Sequence, residues 1–113
     1  MEFRTETTDG VLIVEIPGEN LDADNSRELK QGLSGLIDAN PRIVFDMGQL
    51  RFVDSSGCGA ILSCFKRIKG RGGDLKLIRL QDRVLGLFKL MRLDRIFEIL
   101  QTKEEALKAF CSK

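Results

Sequence analysis

Residues 42–70 read RIVFDMGQLRFVDSSGCGAILSCFKRIKG, a short apolar strand joined to an amphipathic helix through a run of small polar residues. Ile43, Val44 and Phe45 are consecutive, β-branched or aromatic, and fit a strand buried on both faces. Asp46 ends the run. After a loop over residues 47–53, Ile61, Cys64, Phe65 and Ile68 recur at i, i+3, i+4 and i+7, the spacing of one helical face. Asp54, Ser55 and Ser56 stand where that helix begins, and side-chain oxygens of their length can accept bonds from its first N–H groups. Gly57 leaves room beside them. The helix is expected to stop at Gly70, with Gly72 and Gly73 supplying positive φ for the turn that follows.

Toward the N-terminus, residues 3–7 and 11–16 flank Asp9-Gly10, a pair suited to a two-residue hairpin turn because both positions tolerate positive φ. Pro17-Gly18 closes the second strand. Residues 22–26 offer several N-caps for a helix that turns Leu29, Leu33, Leu36 and Ile37 to one side, and Asn40-Pro41 ends it. Toward the C-terminus, residues 74–80 read as a strand. Asp82 is the expected cap of a helix with Val84, Leu85, Phe88 and Met91 facing inward, and residues 96–99 form a short extended piece. Thr102 and Glu105 have capping-box spacing and open a last helix carrying Ala106, Leu107 and Phe110. The element order is ββαβαβαβα over one domain, residues 1–113, with no internal repeat. Strand–helix–strand order predicts parallel neighbours at the centre of the sheet.

Composition removes several function classes. The chain has 113 residues, a formal charge of +1 and no histidine. The missing histidine excludes Ser-His-Asp and Cys-His mechanisms and the usual zinc-hydrolase ligand sets. Near-neutral charge predicts no direct nucleic-acid partner. Lys66, Arg67, Lys69 and Arg71 cluster locally, where cations suit a helix C-terminus. Three cysteines, Cys58, Cys64 and Cys111, lack C-x-x-C spacing, so reduced thiols are expected rather than a disulfide framework or zinc site. Cys64 reads as core and Cys58 as partly exposed. The opening residues show no secretory pattern and no apolar run is long enough for a bilayer, which predicts a cytoplasmic protein without a membrane partner.

D-S-S-G before a helix is compatible with simple capping. The stretch lacks the G-x-S-x-G of a nucleophile elbow and the G-x-x-x-x-G-K-[ST] of a phosphate loop, and the strands argue against a helical carrier domain. A phosphoacceptor receiver would begin with a strand and a helix, not a hairpin.

With its surroundings, the chain resembles the STAS domain of bacterial anti-sigma factor antagonists over nearly its full length. The matching residues are the opening hairpin, Gly18-Glu-Asn-Leu-Asp22, Ile43-Val-Phe-Asp46, Phe52-Val-Asp-Ser-Ser-Gly-Cys-Gly-Ala-Ile-Leu62, Gly72-Gly-Asp-Leu-Lys-Leu77 and Val84-Leu-Gly-Leu-Phe88. The resemblance implies an α/β fold whose mixed four- to five-stranded sheet carries about four helices, mainly on one face. It implies that the second serine of D-S-S-G, Ser56, is phosphorylated by an anti-sigma factor serine kinase and dephosphorylated by a serine phosphatase of the metal-dependent class. Asp22, Asp54, Ser55, Ser56 and Gly57 are then the expected partner-binding residues, with Ser63, Lys66 and Arg67 of the same helix reaching the partner as well. Asp46 reads as a structural turn cap. No catalytic residue, cofactor, metal or nucleotide site is expected, and the chain is expected to be a monomer or weak dimer. A constitutive STAS adaptor of a transport or sensory assembly, in which Ser56 merely caps a helix, is the alternative.

Overall fold

The computed structural model describes residues 1–111. Strand β1 (Arg4–Thr8) and strand β2 (Val11–Glu15) form the opening hairpin, with Thr8 opposite Val11. Asp9 and Gly10 both have positive φ, 54° and 78°, as a two-residue turn matched to strand twist requires. Three further strands, β4 (Arg42–Asp46), β6 (Asp74–Ile78) and β7 (Glu98–Leu100), extend the sheet in the order β1-β2-β4-β6-β7, all parallel from β2 onward. Two-residue strands β3 (Asn20–Leu21) and β5 (Phe52–Val53) pair with each other, parallel, outside this sheet.

Successive crossovers from β2 to β4, β6 and β7 step one place in the same direction along the sheet. Right-handed connections therefore lay their helices on one face. Helix α1 (Ser26–Ala39) contributes Leu29, Leu33 and Ile37; α2 (Ser55–Gly70) contributes Ile61, Cys64 and Ile68; α3 (Asp82–Leu90) contributes Val84 and Phe88. They share one core with Leu12, Val14, Ile43, Phe45, Leu75 and Leu77. Helix α4 (Lys103–Cys111) covers the opposite face, where Ala106 and Phe110 pack with Val11, Ile13, Val44 and Ile78. The uninterrupted run Ile43-Val44-Phe45 is thus explained, because neither face of β4 meets water.

Under α4 lies a lysine. Lys76 is only 5 % exposed, with its Nζ 2.7 Å from Glu98 Oε1, 3.1 Å from Asp74 Oδ2 and 4.5 Å from the Phe110 ring centre. Burial works to lower its pKa, but the hydrogen bonds and charges of Glu98 and Asp74 raise it overall. For Asp74, burial works to raise the pKa, and the hydrogen bond and charge of Lys76 bring it below the ordinary value.

The sequence reading needs correction at several points. Residues 47–53 contain strand β5 as well as a loop, and β6 stops at Ile78. Gly72 has φ of +84°, but Gly73 does not have positive φ; it is small because a Cβ there would lie 2.2 Å from the Pro41 carbonyl oxygen. Asp82 is the first residue of α3, not its cap: Gln81 holds the cap position and makes no side-chain cap bond. Its amide donates to the Gly48 carbonyl instead. Met91 is exposed, since α3 ends at Leu90 and Arg92, at φ of +60°, turns the chain into a 3₁₀ turn over Leu93–Arg95. Cys58 is buried, not partly exposed. The capping box is as expected: Glu105 N–H donates to Thr102 Oγ1, and Thr102 N–H to Glu105 Oε1, both at 3.1 Å.

Candidate functional site

The segment between β4 and α2 is fixed before it reaches the serines. Asp46 Oδ1 accepts the Gly48 N–H at 2.9 Å and Oδ2 accepts Arg79 Nη1 at 2.9 Å, so this carboxylate caps the turn. Met47 and Leu50 are fully buried beneath it. The chain then runs alongside residues 19–21. Arg51 and Phe52 N–H donate to the Glu19 carbonyl at 2.7 and 3.1 Å, and Asp54 N–H donates to the Leu21 carbonyl at 3.1 Å. A Cβ on Gly57 would lie 2.4 Å from that same Leu21 oxygen, so only glycine lets the first turn of α2 sit against β3. These contacts tie the residues just before Asp22 to the start of α2.

Asp54 is the N-cap of α2. Its backbone is extended, and Oδ1 accepts the Gly57 N–H at 2.9 Å. The two serines that follow were alternative cap candidates from sequence. Neither caps: both are exposed, and their hydroxyls make no hydrogen bond with any described residue. The first turn of α2 carries no acidic side chain of its own, and the charge that meets the positive end of its macrodipole is the Asp54 carboxylate at the N-cap.

Asp22 lies next to Leu21 in a tight loop. Its Oδ1 accepts the Asp24 N–H at 3.0 Å, and its carbonyl accepts the Ser26 N–H at 2.9 Å. The structure thus brings Asp22, Asp54, Ser55, Ser56 and Gly57 into one neighbourhood. On the other side of Ser55 is a groove of about 370 Å³ lined by Phe52, Val53, Asp54, Arg83, Val84, Leu87 and Met91. Phe52 is 45 % exposed there and Met91 43 %. Sequence reasoning missed Phe52 and Arg83 and turned Met91 inward. The available signal was Phe52 itself, a large apolar residue next to the motif.

Farther along α2, Ser63, Lys66 and Arg67 are exposed. Arg67 forks onto both oxygens of Asp38 at 3.1 and 2.7 Å, Arg71 donates to the Asp38 carbonyl, and Lys69 lies 3.6 Å from Asp74. Three of the four clustered cations therefore hold the ends of α1, α2 and β6 together. Burial, and then the Asp54 charge, push the Cys58 thiol up, and burial pushes Cys64 up to about 11, so both stay as inert thiols. Among the described residues no group of three or more acidic, cysteine or histidine side chains is placed to hold a metal ion, and no helix is long and apolar enough to cross a membrane.

Comparison with known proteins agrees with this arrangement. Residues 2–106 match the family model described as the STAS domain. The anti-sigma F factor antagonist of Paenibacillus polymyxa is 35 % identical over 100 residues, covering 80 % of this chain and 84 % of that one. An anti-sigma factor antagonist from Mycobacterium paratuberculosis shares the fold with a TM-score of 0.84 at 23 % identity, covering 96 % and 92 % of the two chains. The Bacillus cell fate determinant SpoIIAA, solved in a phosphorylated form, shares it with a TM-score of 0.70 at 23 % identity, covering 96 % and 99 %. A five-stranded mixed sheet, the clamped D-S-S-G turn and these likenesses lead to one conclusion: the chain belongs to the STAS domain family, among the anti-sigma factor antagonists, which are binding proteins and not enzymes.

Proposed function

We propose that this chain is a phosphorylation-switched antagonist that acts in the cytoplasm. Unphosphorylated, it binds an anti-sigma factor serine kinase and so frees a sigma factor; phosphorylation of Ser56 ends the binding, and a metal-dependent serine phosphatase restores it. One observation carries this reading. The cap of α2 is Asp54, which leaves the Ser56 hydroxyl exposed and unbonded on a rigid first turn. A serine required only for capping would be bonded to the helix. That a relative of the same fold is known in a phosphorylated form supports the same role.

The physical basis of the switch is electrostatic. Docking would cover the Ser56 turn, the Asp22 loop and the apolar groove of Phe52, Leu87 and Met91. A phosphate adds about −1.5 to −2 charge beside Asp54. Buried in that contact without a partner cation, it costs several kcal/mol, and each ~1.4 kcal/mol is tenfold in affinity.

The test uses the kinase isolated by pull-down with the unphosphorylated chain. Calorimetric titration should show Ser56→Asp losing most affinity while Ser56→Ala stays bound. Mass spectrometry after incubation with kinase and ATP should place one phosphate on Ser56, with Ser55→Ala still a substrate. Phosphate on Ser55 instead, or Ser56→Asp binding like the unmodified chain, overturns the assignment. Tight binding by every phosphorylated and unphosphorylated form would favour the constitutive adaptor.

A further inference from the structure

Asn25 occupies the N-cap position of α1, where asparagine is among the best capping residues because its amide oxygen accepts an N–H from the next turn. It makes no such bond. Its side chain turns back into the loop: Oδ1 accepts the Asp22 N–H at 2.9 Å, and Nδ2 donates to the Asn20 carbonyl at 2.8 Å. Asn20 is paired with Phe52 through β3 and β5, and the next residue, Leu21, abuts Gly57. A bonded path therefore leads from the first turn of α2 through β5, β3 and the Asn25 amide to Asp22. At its far end, Asp22 Oδ2 makes no hydrogen bond with the described residues and is open to a donor from outside. The helix cap is thus exchanged for two bonds inside the loop, and what those bonds fix is the backbone that carries the Asp22 carboxylate.

We infer that Asn25 is a positioning residue for partner recognition: it leaves α1 without a side-chain cap in order to hold the Asp22 carboxylate in register with the Ser56 turn. The inference rests on the proposed antagonist function and deepens it. Asp22 would then meet a cationic or N–H donor of the kinase, arginine above all, whose planar fork suits a carboxylate held in one orientation.

Asn25→Ser separates this role from a structural one. Serine is a good N-cap, but its side chain is too short to reach both the Asp22 amide and the Asn20 carbonyl. The variant can cap α1 while releasing the loop. Thermal melts and titration of the same isolated kinase should show Asn25→Ser melting at or above the unmodified chain yet binding about tenfold more weakly. Asp22→Ala should lose at least as much, and the double variant Asp22→Ala with Asn25→Ser should bind no more weakly than Asp22→Ala alone, since Asn25 acts through Asp22. Full affinity in Asn25→Ser overturns the inference, as does additive loss in the double variant. If Asn25→Ser fails to fold, Asn25→Ala, which loses both loop bonds and no cap bond because Asn25 makes none, is put through the same comparison with the same criteria. An unmodified chain that binds no anti-sigma factor kinase overturns the antagonist reading and this inference with it; binding that survives Asn25→Ser overturns this inference alone.

Discussion

Two polar regions of this molecule are built in opposite ways. Under α4, Lys76 is nearly sealed from water, and its ammonium is met by Asp74, Glu98 and the face of Phe110. At the start of α2, Asp54 makes a single cap bond, while the hydroxyls of Ser55 and Ser56 and one oxygen of Asp22 have no partner among the described residues. In the first region the polar capacity is filled, and its effect is on stability. In the second it is left open, on backbone that is itself held rigidly. Open polar groups on a fixed frame suit binding, because a partner gains their hydrogen bonds without the entropy of ordering them.

Breaking the frame should give the largest effect. Gly57→Ala places a Cβ against the Leu21 carbonyl, a backbone atom that cannot swing aside, and it should destabilise the fold by about 2–3 kcal/mol. Gly59, two residues on, faces open space, and Gly59→Ala should instead stabilise by up to about 1 kcal/mol through helix propensity. Urea unfolding of both variants checks this. Equal midpoints for the two would mean that the first turn of α2 is not clamped to β3.

The filled region comes next. Lys76→Ala should cost about 2 kcal/mol, because it removes buried methylenes as well as the charge. Asp74 and Glu98 can still reach water, which keeps the cost below that of a fully buried broken pair. Lys76→Met, which keeps most of the volume, should cost less than about 1.5 kcal/mol at neutral pH. The pH dependence sharpens the contrast. Asp74 is depressed below 3.8, so its contribution is present above that pH and is lost as pH falls through the lower folded value. Lys76 is raised above 10.5, so its contribution is present below that pH and is lost as pH rises through the higher folded value. Melting temperature against pH should therefore be flat from Asp74's ordinary value up to about 9, begin to fall there as the Cys64 thiol, raised to about 11 by burial, ionises more readily in the unfolded chain, and fall further above 10.5. Lys76→Met should lose the part of the alkaline fall above 10.5 and keep the part that starts near 9; an unchanged limb above 10.5 in that variant would assign all of it to other groups.

What was legible in the sequence follows from the range of the interactions involved. The capping box of α4, the turn at Asp9-Gly10 and the apolar spacing of α1 and α2 are local, and they could be read directly. Strands β3 and β5 have two residues each, too few for any periodicity, and exist because residues 19–21 and 51–54 bond to each other. Asn25 and Gln81 looked like ordinary caps or were passed over because their amides bond to Asn20, Asp22 and Gly48 instead of to their own helices. Gly73 was misread for the same reason, its constraint coming from Pro41 across the fold. In the site, D-S-S-G stood out as a motif, but which of its side chains caps the helix depended on backbone geometry. Phe52, Arg83 and Met91 become neighbours only when α3 packs beside β5.

The smallest expected effects bear most directly on the comparison. If Asp54 alone caps α2, Asp54→Ala should cost about 1 kcal/mol, while Ser55→Ala and Ser56→Ala should each stay within about 0.5 kcal/mol of the unmodified chain. Ser56→Asp should also be nearly silent in the fold. A negative charge on the first turn gains ~0.3–1 kcal/mol from the macrodipole, and repulsion from Asp54 offsets a similar amount at this exposed position. Thermal melts of the four variants, at low and at moderate salt, decide the matter, since both opposing terms shrink together as screening increases. A Ser56→Ala variant that melts as low as Asp54→Ala would show the serine acting as a cap in solution, and the open side of the comparison would then close. Melts that separate Asp54 from both serines would leave the hydroxyls with no structural duty, so that any loss of partner binding on phosphorylation arises at the contact itself.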